Sequence, residues 1–180
     1  MSPSRTASGD TRGVLDVDWP LFGELSRALA LKVARAYDPE VVIGIATAGV
    51  VPGAVVAAIL QQEFHSILVT RRQPGSAGSR QTPAVLGAVP AAVRDRRVLV
   101  VDETCDSGET MRLALAAVVN GGAADARTAV GFRTGSYEPD FSALDTDSTI
   151  ILPWDREVLV DGALVLKPEY ALALERSGGG

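Results

Sequence analysis

Val41-Val42-Ile43-Gly44-Ile45 and Arg97-Val98-Leu99-Val100-Val101 are nearly unbroken aliphatic runs. Runs without polar alternation suit strands buried on both faces, as in a parallel sheet. His65–Thr70, Arg127–Phe132 and Thr149–Leu152 predict further strands of the same kind. Elsewhere the apolar spacing changes to that of a helix. After Asp18 and Pro20, the positions Leu21, Leu25, Ala28, Leu29, Val33 and Ala36 mark an amphipathic helix that runs to Tyr37 and stops at Pro39. Two more helices are expected, one from about Pro52 to Gln62 and one over Met111–Val119, the latter closed by Asn120-Gly121-Gly122. Val158–Val165 reads as a hairpin around Asp161-Gly162, a dipeptide suited to a type I′ turn. Arg71–Pro83 carries no apolar period, and its length predicts a mobile lid. Strands alternating with helices predict an α/β fold, a parallel sheet flanked by helices.

The chain length of 180 residues then predicts one domain, taken as 14–176, with loose ends at 1–13 and 177–180. With 47% apolar and 22% charged residues it can bury a core of its own. A net charge of -5 argues against a protein that holds nucleic acid by bulk phosphate neutralisation, so any anionic ligand must be gripped locally. The single cysteine, Cys105, allows no internal disulfide and no cysteine-rich zinc site, which fits the reducing cytoplasm. No apolar run approaches the ~18 residues of a membrane span, and the polar segment Met1–Arg12 is unlike a signal peptide, so no membrane association is expected.

Ligands of open parallel sheets bind beyond the carboxyl ends of the strands, which points to the loops after Ile45 and Val101. The second of these, Asp102-Glu103-Thr104-Cys105-Asp106-Ser107-Gly108-Glu109-Thr110, gathers carboxylates, hydroxyls and a glycine between a buried strand and a helix start. Backbone N–H groups from Asp106 to Thr110, with the Ser107 and Thr110 hydroxyls, can cradle a phosphate monoester, and Gly108 lets the backbone come close. Asp102 and Glu103 would repel that phosphate unless they face a diol or a magnesium ion. Phosphate and diol together describe a ribose 5-phosphate. Read alone, Gly49 and Gly53 serve a turn as readily as a ligand, Arg133 a surface charge, and Trp154 a core or an interface. Cys105 is expected to pack behind the loop, and His65 to be structural.

The segment Val98–Thr110 resembles the phosphoribosyl-diphosphate motif of type I phosphoribosyltransferases. That resemblance implies a Rossmann-like core with a small C-terminal hood, about 133–170. It also implies that Asp102 and Glu103 hold the ribose hydroxyls, with Mg2+ possible through water, and that Thr104, Cys105, Asp106, Ser107, Gly108, Glu109 and Thr110 complete the phosphoribosyl site. The aspartate at position 106 is similar to that of the 6-oxopurine branch, where it is the usual candidate for general base. Ile43–Ala54 looks like the pyrophosphate-binding strand, loop and helix of xanthine-guanine phosphoribosyltransferases, which implies pyrophosphate contacts at Thr47, Ala48 and Gly49. Phe132-Arg133 and Ile151-Leu152-Pro153-Trp154-Asp155 resemble that branch's base-binding segments, implying base contacts at Arg133, Ile151 and Trp154.

The chain departs from the family at three places. Thr47 stands where an Arg or Lys is usual, and Arg71 or Arg72 is expected to compensate. The lid lacks the Ser-Tyr pair, and no aromatic stands at Thr149 or Ile150. The implied activity is transfer of a phosphoribosyl group from phosphoribosyl diphosphate to a purine-like base, as in purine salvage, by a homodimer or homotetramer. Two alternatives accompany it: a sensor of phosphoribosyl diphosphate or nucleotides without turnover, and a transferase for an unusual acceptor.

Overall fold

The computed structural model describes residues 13–72 and 79–177. The expected loose ends lie outside them apart from Gly13 and Ser177, as do residues 73–78 of the expected lid. In chain order the elements are β1 (Val14–Asp16), α1 (Trp19–Ala36), β2 (Val41–Ala46), α2 (Val50–Leu60), β3 (Glu63–Arg72) and β4 (Ser79–Leu86). After a 3₁₀ turn at Ala91–Val93 come β5 (Arg97–Cys105), α3 (Glu109–Asn120), β6 (Asp125–Arg133) and β7 (Phe141–Asp145). The chain finishes with β8 (Thr149–Ile151), β9 (Glu157–Val160), β10 (Ala163–Leu166) and α4 (Pro168–Ser177). These elements fall into two compact units, Phe22–Thr146 and the two chain ends, to Leu21 and from Asp147.

The larger unit is built on a six-stranded sheet of order β4-β3-β2-β5-β6-β7. Every neighbouring pair is parallel except β3 with β4. β2 and Val98–Val101 of β5 bury both faces, as their aliphatic runs require. Val41, Ile43 and Ile45 of β2, with Val98 and Val100 of β5, pack with Met111, Ala114 and Val118 of α3. Val42, Leu99 and Val101 turn the other way, onto Leu29, Ala30 and Val33 of α1 and Val56 and Ala57 of α2. Period-two alternation thus assigns each strand residue to one helical layer or the other. At the start of α1, Asp18 Oδ1 accepts the Leu21 N–H at 2.8 Å, the cap expected ahead of Pro20.

Three expectations are corrected here. The Arg71–Pro83 segment is not one loop: β3 runs to Arg72 and β4 returns from Ser79, paired antiparallel with Arg72 opposite Ser79. Asp102–Cys105 continues strand β5 rather than opening a loop, because Asp102, Thr104 and Cys105 keep their ladder partners Val130, Phe132 and Arg133 on β6. Thr149–Ile151 does not join the main sheet. It pairs in parallel with β1, Val14 opposite Thr149.

That second pair belongs to the unit formed by the chain ends, where the Val17 N–H also donates to Ile151 O at 2.9 Å. The Trp19 and Trp154 rings lie 5.9 Å apart at 41°, and Asp155 takes both Lys167 Nζ and the Tyr170 hydroxyl. The expected hairpin is present as β9 and β10, with Asp161 and Gly162 at φ +49° and +84° in the turn. Two consecutive positive φ angles are what a type I′ turn needs. Of the segment expected as a hood, residues 133–146 fall in the sheet unit and those from 147 onward in this one.

Candidate functional site

Strand order reverses between β2 and β5: the chain steps from β2 outward to β3 and β4, then resumes on the other side with β5, β6 and β7. Helices on either side leave a crevice at such a switch, beyond the carboxyl ends of the two strands. β2 and β5 run in register from Val41 opposite Val98 to Gly44 opposite Val101, so Ala46–Gly49 emerges beside Asp102. The peptide joining Ala46 to Thr47 is cis. Gly49 sits between the strand ends so tightly that a Cβ there would lie 2.7 Å from Val101 O, 2.8 Å from Ile45 O and 2.9 Å from Asp102 Cα.

Two open cavities meet at this crevice. One, of about 220 Å³, is lined by Asp102 and by Thr104 through Met111. The other, of about 290 Å³, is lined by Ile45–Ala48, Val69, Asp102–Thr104 and Thr110. Asp102, Thr104 and Thr110 belong to both, so the acidic strand end is the partition between them.

Loss of hydration pushes the Asp102 carboxyl up to about 7, with the Glu103 N–H, 2.9 Å from its Oδ1, pulling the other way. The folded chain therefore binds this proton more tightly than the unfolded chain, whose ordinary carboxyl titrates near 3.8. Stability of the ligand-free protein should fall as pH rises from about 4 towards 7 and level off above. Asp102→Asn should remove that slope from urea unfolding measured across the range; a slope that persists in the variant would place its origin elsewhere.

Glu103 has its Oε2 shut away from solvent. Cys105 turns its side chain into the core beside Met111 and Ala114, as expected. Burial first, and then the Asp102 charge, push its thiol up to about 11, against the pull of Arg112 and a Gly108 N–H. Asp106 and Ser107 are exposed at the loop tip. Gly108 holds φ +76° and precedes α3, whose first residues are Glu109 and Thr110. On the other strand, Thr47 is exposed and Ala48 half-buried. Arg71 and Arg72 end β3, which runs past Leu68, the ladder partner of Ala46.

The residues expected at the base fall in both units. Arg133 ends β6 with Nη1 3.4 Å from Asp145, Nη2 3.7 Å from Glu138 and Nε 3.4 Å from Gly135 O. Ile151 is fully buried and Trp154 half-buried in the unit of the chain ends. Sequence reasoning missed the segment Thr134–Tyr137, which packs against the acidic loop. A Cβ on Gly135 would fall 1.8 Å from Asp106 Oδ1, and one on Gly108 would fall 2.2 Å from the Tyr137 ring. The Gly-Ser pair reads as a plain turn, and nothing in its composition signals that contact.

The family model of the phosphoribosyl transferase domain matches residues 17–161. The chain belongs to this family. A phosphoribosyltransferase on this evidence, it keeps the acidic strand end, the loop and the helix start in one crevice. Its fold is also that of solved structures. A purine phosphoribosyltransferase from Pyrococcus horikoshii Ot3 is 26% identical, with 82% of this chain and 98% of that one covered at a TM-score of 0.70. A hypothetical protein from Neisseria gonorrhoeae with bound ppGpp is 20% identical, covering 91% and 97% at a TM-score of 0.69. The xanthine-guanine-hypoxanthine phosphoribosyltransferase of Helicobacter pylori is 18% identical, covering 79% and 94% at 0.67. No curated protein matches the chain. Among the described residues of this phosphoribosyltransferase, no helix is long and apolar enough to cross a membrane.

Proposed function

We propose that this phosphoribosyltransferase moves the 5-phosphoribosyl group of phosphoribosyl diphosphate to a ring nitrogen of a purine-like base. The observation that carries the reading is the meeting of two cavities at Asp102, Thr104 and Thr110, at the switch point of the sheet. One cavity has the lining of a phosphate cradle. The other opens on the Thr47–Gly49 loop, so a ribose lying over the partition has its 5-phosphate on one side and its pyrophosphate on the other.

On this reading Asp106 to Thr110 hold the 5-phosphate with backbone N–H groups and hydroxyls. Asp102 and Glu103 accept hydrogen bonds from the two ribose hydroxyls and orient the anomeric carbon. Thr47, Ala48 and Gly49 offer backbone to the leaving pyrophosphate, and Arg71 and Arg72 are the cations proposed to replace the one absent at Thr47. Arg133, Ile151 and Trp154 are proposed to contact the base. The bond from the anomeric carbon to the pyrophosphate oxygen breaks as the bond to the ring nitrogen forms. The Asp106 carboxylate takes the proton that nitrogen releases.

The adjacent carboxylates of Asp102 and Glu103 offer the hard oxygen donors that a magnesium ion takes, and both line the cavity that opens beside the Thr47 loop. When bound, such an ion would offset charge on the pyrophosphate. Asp102 and Glu103 are the residues that would hold it.

Pyrophosphate release from phosphoribosyl diphosphate and magnesium, followed across purine, pyrimidine and aromatic-acid acceptors, tests the proposal. Release with a 6-oxopurine alone is the expected result. Release only with another acceptor would reassign the base, and silence with phosphoribosyl diphosphate still bound would make the chain a sensor rather than a transferase.

A further inference from the structure

The acidic loop is tied from behind, carbonyl by carbonyl, by groups that line neither cavity. Cys105 O accepts the Thr134 N–H at 2.9 Å and the Thr134 hydroxyl at 3.3 Å. Asp106 O accepts the Tyr137 N–H at 3.1 Å, and Ser107 O accepts Arg112 Nη1 at 2.8 Å. A trans peptide points its N–H opposite to its carbonyl. Securing the carbonyls of Cys105 and Asp106 behind the loop therefore turns the N–H groups of Asp106 and Ser107 away from those partners, towards the cradle.

Tyr137 and Arg112 also bind each other. The Arg112 guanidinium lies over the Tyr137 ring, 4.9 Å from its centroid. The same ring covers Gly108, where a Cβ would meet it at 2.2 Å. One half-buried ring thus supports the left-handed residue at the end of the loop and fixes the arginine that holds the residue before it. Neither side chain lines the cavity that the loop encloses.

We propose that Tyr137 and Arg112 are a positioning pair that holds the loop Cys105–Gly108 in its anion-binding shape before ligand arrives. The inference rests on the reading of this loop as the 5-phosphate cradle. A loop left to reorder on binding would lose affinity by the cost of that ordering, while a preformed one does not.

The test is isothermal titration of ribose 5-phosphate and, separately, of pyrophosphate with magnesium. Tyr137→Ala should weaken ribose 5-phosphate by about tenfold and Arg112→Met by about three- to fivefold, while pyrophosphate stays within about twofold. Tyr137→Phe, which keeps the ring, should bind both ligands as the parent chain does. The double variant should be no weaker than Tyr137→Ala, because the two act through one contact. Additive losses would instead assign Arg112 a separate long-range charge effect and overturn the pair. So would ribose 5-phosphate affinity unmoved in both single variants, or equal losses for the two ligands. Arg112 is exposed on α3, so its variant decides the matter even if Tyr137→Ala does not fold. Ribose 5-phosphate binding without transfer to any acceptor would overturn the proposed function and leave the pair standing. Transfer with unmoved affinities would do the reverse, and a parent chain that binds no ribose 5-phosphate would overturn both.

Discussion

Asp106→Asn should lower turnover by about 10² to 10⁴ while phosphoribosyl diphosphate binds as before, because a general base contributes on that order and an amide cannot take the proton. The substitution is nearly isosteric, which matters at this position. Asp106 Oδ1 lies where a Cβ on Gly135 would be only 1.8 Å away, so the carboxyl group rests on bare backbone and a larger group would be pushed off it. The tie from the Tyr137 N–H reaches the Asp106 carbonyl, not its side chain, and survives the change. Single-turnover rates alongside equilibrium binding separate the two quantities. Turnover equal to that of the parent chain would remove Asp106 from its role, and a matching loss of binding would make it a ligand contact instead.

Gly49→Ala should destabilise the protein by about 3 kcal/mol and lower Tm by roughly 10 °C. Its φ of -69° and ψ of -6° are open to any residue, so backbone strain contributes nothing. The cost is steric. The new methyl group would sit 2.7 to 2.9 Å from Val101 O, Ile45 O and Asp102 Cα, and all of these are backbone atoms that no rotamer change can move aside. Relief comes only by parting β2 from β5, which separates the Thr47 loop from Asp102. Thermal unfolding and pyrophosphate affinity should therefore fall together. A Tm within about 2 °C of the parent chain would mean the strands part freely.

The central strands were legible because β2 and Val98–Val101 of β5 are buried on both faces and are aliphatic there. The strands that escaped are those whose existence depends on a distant partner. Ser79–Leu86 has neither alternation nor a continuous apolar run and contains Pro83, yet it is a strand because β3 offers it a ladder. β1 is three residues long and exists only through its pairing, across most of the chain, with β8, which the sequence did mark as a strand. β7 is a short edge strand whose Phe141 is its one buried residue. Within the site, acids and hydroxyls crowded before a helix are a local signal and were readable. Tyr137 and Arg112 were not, since 24 residues separate them and only the fold brings the ring over Gly108.

The sheet's two borders bear on how the chain behaves in crowded solution. A border strand with a free, regular ladder invites pairing by a second chain. β4 breaks that regularity twice, with Pro83, which has no N–H to give, and with the register shift against β3 between Thr70 and Arg72. β7, at the opposite border, is only five residues long. Neither border presents a long uniform template, so the six strands stop at six, and growth of the sheet into an aggregate is resisted by the same residues that end it.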